Sequence, residues 1–276
     1  GLGDVYKRQS VYNRLLFQVL AELFSIFLIA SIFLFTWNTR RFQENHYFLF
    51  LGIAYLFIGS VDFVHTLTYT EGIEVFEGIT GYSAAVQLWI AARYMESISL
   101  LLAFLFLHKK LNEYFLFFSC LSLVVLLFYS VFSQSFPVDF CSVNEERATA
   151  FLRNSEYLIC SLFLLSFFIF HKKQKEFKRQ SLLFLQTAVL LAFLVELTAV
   201  FSAPSCSPPL NTTFGVLGRI VSLYCLAKTV FQESLMTPYN KQYKKISCND
   251  EKFEDKIRKR TADLQKSKDQ HEKKVV

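Results

Sequence analysis

The sequence predicts an all-α integral membrane protein: a seven-transmembrane helical bundle followed by a polar helix. Three observations lead there. Of 276 residues, 53% are hydrophobic and 32 are Phe, too apolar a balance for a soluble domain of this length. These residues gather into seven runs, about 15–37, 47–67, 84–107, 114–133, 149–170, 181–201 and 214–233. About 20 apolar residues span the hydrocarbon core as a helix. None of the runs alternates apolar and polar positions as a membrane barrel does, and helices alone among open structures satisfy their backbone within lipid.

The net charge of +6 follows the membrane and does not point to nucleic acid. The connections 38–46, 108–113 and 171–180 hold Arg40, Arg41, Lys109, Lys110, Lys172, Lys173, Lys175, Lys178 and Arg179. The alternate connections hold one base, Arg147, against Glu71, Glu74, Glu77, Asp139, Glu145 and Glu146. The positive-inside rule then puts the N-terminus outside and the C-terminus in the cytoplasm. Lys7, Arg8 and Arg14 oppose that assignment, and the chain opens on Gly1 rather than Met. Residues 1–11 are therefore set apart as a non-native or disordered start, 12–236 as the membrane domain and 237–276 as a cytoplasmic linker.

The first span carries Glu22 and ends on Trp37, with Arg40-Arg41 just beyond, a residue order suited to the headgroup level. The second runs from Tyr47 to Thr66 and holds Asp62 and His65. The third contains Gln87-Leu-Trp89-Ile-Ala-Ala-Arg93-Tyr94-Met-Glu96-Ser97. An arginine at that depth costs several kcal/mol unless it faces protein or a wet cavity, so this stretch reads as the inner wall of a polar site. The fourth, Phe115–Phe132, is almost purely apolar and suits a lipid-facing position. The fifth opens with Arg153 and Glu156, the sixth carries Glu196, and the seventh carries Arg219 early and Lys228 late. After Pro238-Tyr239 the chain turns polar, with a thin apolar series at Phe253, Ile257 and Leu264. That spacing suits a weak two-stranded coiled coil or a solvated single helix. A homodimer through this helix and an output domain downstream in the same chain are the expectations.

Apart from Lys228, the ionisable residues of the spans share the outer half or the midplane: Glu22, Asp62, His65, Arg93, Glu96, Arg153, Glu156, Glu196 and Arg219. Five carboxylates face three arginines and one histidine. Asp62/His65, Arg93/Glu96 and Arg153/Glu156 each stand at i,i+3 and so project from one helix face. Together with Gln87 they are the candidates for an outward-opening pocket that takes a small polar or cationic ligand or a proton. Simple ion pairs locking the helices together are the alternative, and a rim position suits Arg153 and Arg219. No cofactor is evident. Asp62 and His65 are weak candidates for a metal ion, without a dense ligand motif. Neither a nucleophile–base constellation nor a phosphate loop is present, so enzyme activity is not expected in this stretch. Cys120, Cys160 and Cys225 read as packing residues and Cys248 as a reduced thiol. Cys141 and Cys206 both fall in outer connections, as a disulfide or as two free thiols.

A small secondary transporter or channel competes with a receptor. Transporters show broken helices and repeated halves, whereas the five prolines here lie outside the spans and no repeat is visible.

Glu22-Leu-Phe-Ser-Ile, Trp37-Asn-Thr-Arg-Arg-Phe42, Phe50-Leu-Gly-Ile-Ala-Tyr-Leu-Phe57, Asp62-x-x-His65-Thr66, Gln87-Leu-Trp-Ile-Ala-Ala-Arg-Tyr94, Glu96-Ser97, Ser155-Glu156-Tyr157 and Pro238-Tyr239 together resemble the MASE3 family of membrane-associated sensor domains, over about residues 12–245. The resemblance implies an input module of a sensor histidine kinase, diguanylate cyclase or related receptor in the bacterial inner membrane. In that family the seventh helix often reads Gly-His-x-x-Lys. Here Gly215-Val216-Leu-Gly-Arg219 replaces the histidine and carries arginine as the base.

Overall fold

The computed structural model describes the backbone of residues 2–43, 46–69, 82–133, 135, 141–142, 147–202 and 213–275. Eight helices follow in order: α1 (Leu2–Thr39), α2 (His46–Tyr69), α3 (Tyr82–Ala103), α4 (Glu113–Phe132), α5 (Ala150–Lys172), α6 (Arg179–Ser202), α7 (Thr213–Phe231) and α8 (Thr237–Val275). Seven helices are long and apolar enough to cross a membrane, and they match the seven apolar runs to within a few residues at nearly every end. A short antiparallel ladder, Cys141–Ser142 against Arg147–Ala148, lies between α4 and α5. The acids Glu71, Glu74, Glu77, Asp139, Glu145 and Glu146, Cys206 and the side chain of Cys141 lie outside the described residues, and so does the Cys141–Cys206 disulfide, the alternative to two free thiols.

Six helices close a ring: α1 packs on α2, α2 on α3, α3 on α5, α5 on α6, α6 on α7, and α7 back on α1. The fourth span stands outside it, resting mainly on α2. Lipid is as apolar as leucine, so helix association relies on close packing and small residues. In α2, Gly52 supplies the close approach: a Cβ there would sit 1.7 Å from Thr36 Oγ1 of α1. In α7, a Cβ on Gly218 would meet Val195 of α6 at 2.8 Å.

The end of the bundle from which α8 departs, the tail end, is closed by aromatic rings. Phe104 lies 4.7 Å from Phe170, and Tyr47 lies 5.4 Å from Phe104 and 5.5 Å from Phe177, centroid to centroid. At the same end the Arg40 guanidinium stacks over Trp37 at 4.5 Å and its Nε reaches Glu113 at 3.3 Å.

The seventh span does not stop where its apolar run ends. A π-helical turn, Gln232–Met236, joins α7 to α8 without interrupting the rod. Such a turn inserts an extra residue per turn and is found often at functional sites. It is held to the start of α6: Ser181 Oγ donates to Glu233 at 2.5 Å, Gln232 Nε2 to Gln180 at 3.1 Å, and Lys178 Nζ to Thr237 Oγ1.

Candidate functional site

Arg93 is the hub of the polar half of the bundle, away from the tail end. Its Nη2 donates to both oxygens of Asp62, at 3.0 and 3.1 Å, tying α3 to α2. Its Nη1 pairs with Glu96 one turn along the same helix, as the i,i+3 spacing requires. Glu96 in turn accepts a hydrogen bond from the Tyr55 hydroxyl at 3.2 Å. Tyr55 stands seven residues before Asp62, on the same face of α2. A guanidinium offers five donors in a plane, which suits it to hold two carboxylates at once inside a medium without water.

Arg219 brings α7 into the network. Its Nη2 donates to Asp62 Oδ2 at 2.5 Å, and its Nη1 stands 3.8 Å from Glu22 Oε2 on α1. The aspartate is thus shared by two arginines from different helices. The expected rim position for Arg219 is corrected: its side chain is only 11% exposed. Gly218 beside it lets α7 sit close on α6, and the guanidinium points into the ring rather than toward the surface.

His65 is buried, with Nδ1–H donating to the carbonyl of Ala85 on α3 at 2.8 Å. Gln87 is buried in the same wall. Glu156 of α5 and Glu196 of α6 are buried too, each with an Oε2 that has no hydrogen-bond partner. They stand close enough to repel each other, and Glu196 also feels Arg93, Glu96, Arg219 and Asp62.

Arg153 stays out. It is exposed while Glu156 is buried, so the expected shared face of this pair is corrected. Residues at i and i+3 differ by about 60° around a helix axis, enough at the edge of a buried stripe for one to face inward and the other outward. Lys228, set apart by its depth, is also exposed.

With Arg153 removed, five buried carboxylates (Glu22, Asp62, Glu96, Glu156, Glu196) meet two arginines, Arg93 and Arg219, and His65. The ionised sum is −3 before the histidine is counted, a larger excess than the sequence suggested. Two guanidinium groups hold Asp62, and the Ala85 carbonyl holds His65 through Nδ1. Among the described residues no three His, Cys, Asp or Glu side chains are grouped to hold one metal ion.

A cavity of about 30 Å³ opens beside the network, lined by Glu22, Ser25, Trp89, Glu196, Thr198 and Arg219 among others. Charge counting alone does not reveal Tyr55, Ser25, Trp89 or Thr198. Helical spacing does for three of them: Ser25 is three residues after Glu22, Trp89 four before Arg93, and Tyr55 seven before Asp62. A larger cleft of about 360 Å³ lies at the tail end, between Phe42, Phe177, the π turn and the first turns of α8. It is remote from the charge network and borders the joint between bundle and tail.

No curated protein and no solved structure matches the chain. The model of the family described as a membrane-associated sensor domain, MASE3, matches residues 9–238. That stretch takes in all seven membrane helices, the whole buried charge network and the π turn, and the chain belongs to the MASE3 family of membrane-associated sensor domains.

Proposed function

We propose that this sensor domain is the input module of a bacterial signal-transduction protein, of the sensor histidine kinase or diguanylate cyclase type. It lies in the cytoplasmic membrane with its N-terminus outside and α8 in the cytoplasm, in line with the basic connections. A small ligand or ion enters the polar half from outside and shifts the bundle between two packings. The exiting helix carries that change to an output domain following α8.

The observation that supports this reading is the path from site to tail. Arg219, bonded to Asp62, lies on the same unbroken rod that runs through the π turn into α8. A ligand that moves this guanidinium acts directly on the output helix, and the π turn is the place where a change of register is cheapest. The tail supports pairing with a second copy. Tyr239, Tyr243, Ile246, Phe253, Ile257 and Leu264 are all exposed and keep to one alternating three- and four-residue stripe, the seam of a two-stranded coiled coil.

Output activity of the full-length receptor, measured at equal protein level for Arg93→Ala and Glu96→Gln, tests the proposal. Loss of the response, or an output locked on, is expected in both. A response identical to wild type in both variants would reduce the network to helix packing.

A further inference from the structure

We infer that the cleft between α1, α6 and α7 binds a small monovalent inorganic cation between the carboxylates of Glu22 and Glu196. The inference rests on the sensing-pocket reading above and names the ligand class.

Within the network, Asp62 and Glu96 offset Arg93 and Arg219. That leaves Glu22, Glu156 and Glu196 with three formal charges and, at most, His65 against them. Glu22 and Glu196 are 5% and 3% exposed, and each carries an Oε2 without a hydrogen-bond partner. Both residues line the same cavity. Glu22 Oε2 has the Arg219 guanidinium at 3.8 Å, beyond hydrogen-bond reach, and carboxylate oxygens so poorly served in a medium without water are strongly destabilising, so this wall is built for something that is positive.

Size and charge narrow the class. About 30 Å³ holds two or three particles of water size, since roughly 10–15 Å³ is needed for each. An organic ligand does not fit. The wall contributes two carboxylates beside the Arg219 guanidinium, and the repulsion of that fixed positive charge weighs against a doubly charged ion and for a monovalent one. Divalent sites draw on more carboxylates, and a third such ligand is not grouped here among the described residues. Hard oxygen donors complete the shell. Ser25 Oγ donates to Ala21 O at 3.0 Å and Thr198 Oγ1 to Val195 O at 2.7 Å, so both hydroxyl oxygens keep lone pairs for the ion. Asp62 and, through it, Arg93 and Glu96 stand behind Arg219, while His65 is within electrostatic reach of Glu22 and Glu156 of Glu196.

Trp89 lines the cavity and is one of two tryptophans in the chain. In a Trp37→Phe background it is therefore a local reporter. The full chain in nanodiscs would be titrated with sodium, potassium and ammonium chloride, with N-methyl-D-glucamine chloride holding ionic strength constant. A saturable change in Trp89 emission with at least one small cation, and none with N-methyl-D-glucamine, is expected. Glu196→Gln should raise the half-saturation concentration at least about tenfold. Glu22→Gln should do the same, and serves if the first variant does not fold. Glu113→Gln, at the opposite end, should leave it unchanged. No saturable change with any of the three cations, a change on acidification alone, or an unaltered half-saturation in both Gln variants would overturn the inference. If binding fails while output still depends on Arg93 and Glu96, the ligand class is wrong and the sensing pocket stands. If the cation binds and output ignores Glu196→Gln, the ion site stands and the sensing reading falls.

Discussion

The third and fourth membrane helices differ little in length, 22 and 20 residues, and opposite in fate. The third carries Gln87, Arg93, Glu96, Ser97 and Ser99, all buried, and half of its most apolar eighteen-residue window lies inside the bundle. The fourth carries a single charge, Glu113 at its start, and buries 11% of the corresponding window. In water the more apolar helix would be the one to hide. Here the surrounding medium is itself apolar, so burying Phe or Leu gains little, and the helix that must be enclosed is the one with polar groups to satisfy. Phe115, Phe118, Leu126 and Tyr129 of α4 are accordingly exposed, while α3 is walled in by α2 and α5.

The strongest way to break this comparison is to remove the hub. Arg93→Leu leaves Asp62 and Glu96 buried, with Arg219 alone to serve the first, and should cost about 3–5 kcal/mol. Unfolding of the purified protein in mixed detergent micelles measures it. A loss below about 1 kcal/mol would show that these charges do not hold α3 in place. Next in size is Gly52→Ala in α2. The added methyl would meet Thr36 Oγ1, which already donates to the Ile32 carbonyl at 3.0 Å, and overpacking of this kind costs about 1–3 kcal/mol. Pairing it with Thr36→Ala should recover part of the loss. A smaller effect is expected of Tyr55→Phe, which deletes one buried hydrogen bond to Glu96 and should cost about 1 kcal/mol.

These differences explain what could be read in advance. The seven spans were legible because length and apolarity are imposed by the bilayer and need no partner. The inward positions of Glu22, Asp62, Arg93, Glu96, Glu156 and Glu196 followed from the cost of a charge in lipid, a constraint that acts on each residue alone. Arg153 escaped that rule because it stands in the first turn of α5, where an exposed side chain can still reach the headgroups. Arg219, also within two turns of a helix start, went the other way because Asp62 and Glu22 wait across the ring. That is a pairwise fact, and no single segment contains it. The junction is a third case: the apolar run ends near Glu233, yet the backbone continues as π helix into α8. The ties from Ser181, Gln180 and Lys178 that hold it there are more than fifty residues away in sequence.

The smallest expected effect sharpens the comparison from the lipid side. Phe118 in α4 is 61% exposed and meets the neighbouring Phe117 ring edge-on at 5.9 Å. Phe118→Leu trades one lipid-facing apolar side chain for another and should change stability by no more than about 0.5 kcal/mol in micelles or bicelles. The same conservative exchange at a ring inside the bundle, Phe170→Leu, removes a side chain packed at 4.7 Å on Phe104 and 5.6 Å on Phe177 and should cost several times more. If the two substitutions cost the same, apolar burial would matter as much outside this ring of helices as within it. The exposed face of α4 would then need a protein neighbour, not lipid, to account for it.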